Sequence, residues 1–133
     1  MDALNDATPL KLMLVEDHAA FRYALTTLLS ADPELEVIAQ AGSVLEAKEA
    51  LDGGGFDGGL DVAVLDLALP DGDGRELIGE LRRWSPGIRI MALSATVWAA
   101  DVEEIRRAGV DVVFDKVRSY WSIAEEVRRM AGR

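Results

Sequence analysis

Five side chains in this sequence could do chemistry together: Glu16, Asp17, Asp66, Ser94 and Lys116. Each closes, or directly follows, a short apolar run. Leu12-Met13-Leu14-Val15 runs into Glu16-Asp17, and Val62-Ala63-Val64-Leu65 runs into Asp66. Ile88-Arg89-Ile90-Met91-Ala92-Leu93 stops at Ser94, and Val112-Val113-Phe114 runs into Asp115-Lys116. An acid at the end of a buried strand is costly unless something binds or pairs it. Polar groups gathered at consecutive strand ends mark where an open parallel α/β sheet places its ligands. Three carboxylates crowded at one sheet edge repel, so a cation neutralises them or one of them holds a proton. A hard divalent ion such as Mg²⁺ takes oxygen ligands of this kind. The Lys116 charge and the Ser94 hydroxyl suit phosphate oxygens. An aspartate is already ionised and needs no activating histidine, so the chemistry indicated is phosphoryl transfer to a carboxylate. Positioning and charge neutralisation would supply most of the catalysis.

The elements that must position these groups follow from the hydrophobic pattern. Short apolar runs alternate with longer amphipathic stretches, the signature of repeated βα units and a parallel sheet. Strands are predicted at Lys11–Val15, Glu36–Ala41, Val62–Leu65, Ile88–Leu93 and Val110–Phe114. The first helix spans Ala19–Ser30, with Phe21, Leu25, Leu28 and Leu29 on one stripe, and Asp32-Pro33 ends it. The second carries Val44, Ala47 and Leu51 inward, with Lys48 snorkelling at the edge. The third carries Leu77, Leu81 and Trp84 at helical spacing and stops at Ser85-Pro86-Gly87. The fourth runs over Val97–Ala108 to a Gly109 cap, with Trp98, Val102 and Ile105 facing the core. The fifth runs over Ser119–Ala131, with Ile123, Val127 and Met130 inward and a capping box at Ser122-x-x-Glu125.

Composition narrows the function classes. A chain of 133 residues, half of them apolar, is one domain with a real core. No apolar run approaches the ~20 residues of a membrane helix. Residues 1–9 hold two acids and no basic or apolar block, so they are expected to be a flexible lead-in and not a signal peptide. There is no cysteine, which excludes disulfides, thiolate metal sites and cysteine nucleophiles. These features fit a cytoplasmic protein. A net charge of −10 argues against nucleic-acid binding by this domain. The pairs Arg82-Arg83, Arg106-Arg107 and Arg128-Arg129 fall late in helices, where they suit the helix dipole.

From about Leu10 to Met130 the sequence resembles the receiver domains of bacterial two-component response regulators. The residues that carry the resemblance are Glu16-Asp17, Asp66 within LDLALPDGDG, Ser94 within ALSA, and Lys116 after the fifth strand. Asp17-His18 with Phe21-Arg22 is similar to receivers of regulators that carry a helix-turn-helix output domain. The resemblance implies a flavodoxin-like fold: an open, doubly wound, five-stranded parallel sheet with five helices. It implies a receiver over residues 10–131, with no output domain expected in this chain; a free-standing receiver and an excised one both stay open. Asp66 would be the phosphoacceptor. Mg²⁺ would bind Asp17, Asp66 and the Ala68 carbonyl directly, with Glu16 helping through water. Leu67, Ser94, Ala95 and Lys116 would bind the phosphoryl group. The donor would be a sensor histidine kinase or phosphotransfer protein, and the recipient of the signal a downstream protein or an output domain. Ser94 would move toward the phosphoryl group and change the surface made by the fourth helix, fifth strand and fifth helix.

The sequence departs from the family at the switch. The aromatic usual three residues before the lysine is Val113 here, with Phe114 as its neighbour, and Val117 replaces the proline common after the lysine. Either Phe114 takes over the role or the switch runs without a rotating aromatic. Two rival readings are a degenerate receiver used as a docking module and a Mg²⁺-dependent phosphohydrolase of the haloacid-dehalogenase type. The latter needs a second aspartate two residues after the nucleophile, where this chain has Ala68.

Several weaker signals read as structural. His18 at a helix start is expected to be surface-exposed. Gly53-Gly54-Gly55-Phe56-Asp57-Gly58-Gly59 follows a helix and precedes a strand, the wrong order for a nucleotide cradle, and reads as a linker with Phe56 on the core. In Asp71-Gly72-Asp73-Gly74 the following Arg75 and Glu76 break a calcium-loop pattern. Tyr120-Trp121 precede the inward set of the last helix, which makes them candidates for a homodimer or partner contact.

Overall fold

The computed structural model describes residues 8–53, 59–95 and 99–132, with the side chains of 99–101 left aside. The expected placements of Phe56 and Trp98 therefore lie outside the described residues, as do residues 1–7 of the lead-in. Five parallel strands, β1 (Leu10–Val15), β2 (Leu35–Ala41), β3 (Val62–Asp66), β4 (Arg89–Ser94) and β5 (Val112–Asp115), form one sheet in the order β2-β1-β3-β4-β5. Five helices, α1 (Ala19–Ser30), α2 (Val44–Asp52), α3 (Ile78–Trp84), α4 (Ala99–Arg107) and α5 (Tyr120–Met130), alternate with them. The expected doubly wound α/β fold is what the chain adopts.

Both sheet faces are covered, which is why the strands read as nearly continuous apolar runs. Alternation decides which side chain serves which layer. Met13, Val15, Ala63, Leu65, Ile90 and Ala92 pack toward α2, α3 and α4. Leu12, Leu14, Val62, Val64, Met91 and Leu93 pack toward α1 and α5.

Several local details differ from the sequence reading. The segment after β3 is more than a turn: Ala68–Leu69 and Gly72–Asp73 pair antiparallel, and a 3₁₀ turn at Gly74–Leu77 leads into α3. The capping box is at Asp73 and Glu76, which begins this turn. The cap of α5 is Ser119, whose Oγ accepts from the Ser122 N–H at 3.2 Å, so Ser122 is inside the helix and does not open it. Trp84 is 44% exposed because it is the last residue of α3 and has passed beyond the buried Leu77 and Leu81. Gly109 does turn the chain after α4, with φ of 113°.

Candidate functional site

The parallel register delivers the polar residues to one edge. Val15 lies beside Leu65, so Glu16 and Asp66 are the next residues along on neighbouring strands. Asp66 pairs with Leu93, and Ser94 pairs with Asp115, which places Lys116 one step further on. Backbone bonds pin the loops that follow: Leu67 N–H donates to Leu93 O at 3.2 Å, and Lys116 N–H donates to Ser94 O at 2.9 Å. Gly74 comes so close behind β3 that a Cβ there would stand 2.3 Å from the Asp66 carbonyl oxygen.

Three of the five expected groups, Glu16, Asp66 and Lys116, meet directly, and Asp17 stands close by. Glu16 is 0% exposed and Asp66 2%, although both are acids. Lys116 Nζ donates to Asp66 Oδ2 at 2.8 Å and to Glu16 Oε2 at 3.0 Å. It also lies 2.9 Å from Glu16 Oε1, but outside hydrogen-bonding geometry, so that oxygen has an ionic neighbour and no donor. Glu16, Asp17 and Asp66 each offer a carboxylate oxygen within 4.8 Å of the others. Asp17 is the exposed member, on the solvent side. Ser94 lies on the other side of Asp66, lining with it a cavity of about 220 Å³ whose wall also includes Leu67, Ala68 and Ala95.

Electrostatics follow from burial and pairing. Burial pushes the Glu16 carboxyl above its ordinary range; Lys116 and the His18 amide pull against this, and the Asp66 charge adds to it. Burial alone would lower Lys116, yet its bonds to Asp66 and Glu16 prevail and hold the ammonium above the ordinary lysine value. An under-donated, buried carboxylate oxygen beside two further carboxylates fits a hard divalent cation. The three carboxylates are therefore placed so that they could hold a divalent cation between them.

Supporting residues surround this set. His18 is exposed and caps α1, its Nδ1 accepting from the Phe21 N–H at 3.2 Å, while its own N–H donates to Glu16 Oε2 at 2.8 Å. Arg22 NH1 donates to the Glu16 carbonyl oxygen at 2.5 Å. Lys116 lies 5.2 Å from the centroid of the Phe21 ring, which meets Tyr120 edge to face. Trp121 is 66% exposed nearby. Arg75 and Glu104 close the α4 side of the cavity; nothing in their local sequence marks them as partners. Val113 packs toward the α2, α3 and α4 layer and Phe114 toward α1 and α5, so the ring faces away from the cavity. Arg118 stacks over it at 5.5 Å.

An open parallel sheet with an acid cluster and a lysine at its carboxyl edge is the arrangement of a signal-receiver domain. The response regulator receiver domain model matches residues 12–128, and the chain belongs to that family of two-component systems. It is 45% identical over 85 residues to the DNA-binding transcriptional activator DevR/DosR of Mycobacterium tuberculosis, covering 64% of this chain and 37% of that protein. It is 33% identical over 111 residues to the nitrate/nitrite response regulator protein NarP of Escherichia coli, covering 81% of this chain and 48% of that one. The chain thus spans less than half the length of these relatives. The signal receiver domain of the response regulator NarL from Mycobacterium tuberculosis superimposes with a TM-score of 0.80 at 23% identity, covering 94% of this chain and 98% of that one, and shares its fold. No helix among the described residues is long and apolar enough to cross a membrane.

Proposed function

We propose that Asp66 accepts a phosphoryl group from a phosphohistidine donor. An Asp66 carboxylate oxygen would attack phosphorus while the P–N bond breaks and the imidazole leaves with its electron pair. The observation that carries this reading is the buried Asp66 carboxylate, 2% exposed, held 2.8 Å from Lys116 within reach of two other acids. Lys116 orients that carboxylate and neutralises charge gathering on the phosphoryl oxygens. Leu67, Ser94 and Ala95 line the space into which the phosphoryl group would project, and Ser94 brings a hydroxyl to it. Glu16, Asp17, Asp66 and the Ala68 carbonyl would hold Mg²⁺. When bound, that ion supplies positive charge to phosphoryl oxygens and relieves repulsion among the acids. The chain is a phosphoacceptor and not an enzyme acting on a free metabolite. The surface of α4, β5 and α5 would pass the change to a partner or output domain.

Intact mass after incubation with acetyl phosphate and Mg²⁺ tests this reading. Wild type is expected to gain the mass of one phosphoryl group, and Asp66→Asn or chelated protein none. An adduct that persists in Asp66→Asn would move the acceptor elsewhere. A partner bound equally well by wild type and Asp66→Asn, with no adduct in either, would favour a phosphorylation-independent docking module.

A further inference from the structure

The cleft beside Asp66 has one ionic wall. Arg75, in the 3₁₀ turn, and Glu104, on α4, both line it. The guanidinium between them is held unevenly. On the hairpin side Asp73 Oδ2 accepts from Nε at 2.8 Å and lies 2.6 Å from NH2, while Oδ1 accepts from the Arg75 backbone N–H at 2.9 Å. On the α4 side NH1 alone is engaged, 3.0 Å from Glu104 Oε1, and that side chain is 71% exposed. A forked contact fixes a guanidinium plane, whereas a single exposed ion pair is a weak tie. Arg75 therefore stays with the hairpin, and NH1 is the arm free to change partner. Val113, the residue on the α4 side of β5, has no ring to swing, and Phe114 faces the opposite layer.

We propose that the Arg75–Glu104 ion pair is the latch that couples occupancy of the Asp66 cleft to α4. When Asp66 carries a phosphoryl group, NH1 leaves Glu104 for the new anionic oxygens, and α4 loses its tie to the hairpin. The inference rests on Asp66 as acceptor. The exchange is favoured because a phosphoryl group carries about −1.5 to −2 charge and three acceptor oxygens inside the cleft, where Glu104 offers a single charge at the solvent edge.

Beryllofluoride with Mg²⁺, applied to the full chain, is the phosphoryl probe. In wild type, probe binding is expected to speed amide hydrogen exchange over residues 102–107. In Glu104→Gln those amides exchange at the faster rate before any probe is added. In Arg75→Met the probe binds roughly tenfold more weakly, and exchange over 102–107 no longer responds to it. Glu104 lies on the surface, so that variant carries the test if Arg75→Met is unstable. An identical α4 response in wild type and Glu104→Gln would overturn the latch and leave Asp66 as acceptor. Failure of folded wild type to bind the probe would overturn the acceptor reading and the latch together.

Discussion

Lys116 and Asp66 meet at 2.8 Å although 50 positions separate them in sequence. The same ammonium holds Glu16 at 3.0 Å, so one cation from the end of β5 stabilises two acids that the core leaves almost without water. Removing one partner of such a set strands the others. Lys116→Met is expected to lower stability by about 1–3 kcal/mol, less than for a fully buried pair because the lysine side chain is 21% exposed. Mg²⁺ should restore most of the loss. Urea unfolding with and without Mg²⁺ checks this; a loss that ignores the ion would detach Lys116 from the acid cluster.

Gly74 backs directly onto the end of β3. Gly74→Ala puts a methyl group against the Asp66 carbonyl, and overpacking of that kind costs about 1–3 kcal/mol. Because backbone must move to admit the methyl, Mg²⁺ affinity should fall as well. Gly79→Ala is the control: its Cβ meets nothing within 4 Å in α3, so a gain of about 0.5–1 kcal/mol is expected. Calorimetric Mg²⁺ titration of both variants separates loss of site geometry from a general helix effect.

Asp71 should make stability depend on pH in a defined direction. Its carboxylate accepts from the N–H groups of Leu45 at 2.9 Å and Val44 at 2.8 Å, at the start of α2, and these bonds hold it below its ordinary value of 3.8. A lowered folded value means the stabilisation is fully present above the unfolded value and is lost as pH falls through the folded one. Asp71→Ala should therefore lower the urea midpoint at neutral pH and converge with wild type in acid. A difference that stays constant to about pH 2 would show that the carboxylate charge is not what counts.

Phe114 should matter to α5 and not to the cleft. Phe114→Ala is expected to cost about 1–2 kcal/mol, below a full core truncation because the ring is half-buried. Beryllofluoride affinity should stay within about twofold of wild type, a shift well under the 1.4 kcal/mol that marks a tenfold change. A tenfold loss on titration would couple the ring to the cleft.

Much of the site is legible in sequence because it breaks a rule. Glu16, Asp66, Ser94 and Lys116 each interrupt an apolar strand at its end, and parallel pairing brings strand ends together without further instruction. The Arg75–Glu104 pair carries no such mark, since it depends on how far α4 leans toward the hairpin. The cap at Asp73 is present in the D-x-x-E pattern of residues 73–76, but competing glycines and acids make the same segment look like a broken calcium loop. Ser119 and Ser122 are both plausible caps three residues apart; only backbone geometry decides for Ser119. Alternation alone puts Val113 and Phe114 on opposite faces, and the packing assigns the ring to α1 and α5.

The reach of Lys116 across the sheet also bears on how the chain comes into being. Synthesis delivers β1, β3 and β4 before the residue that neutralises the ends of the first two. A nascent chain halted after β4 would bring Glu16 beside Asp66 with no internal counter-charge, and the centre of its sheet would repel itself. Cooperative closure would then wait for the last strand or for a bound cation, and a chain terminated early is expected to be a fragment open to proteolysis and not a half-working signalling protein.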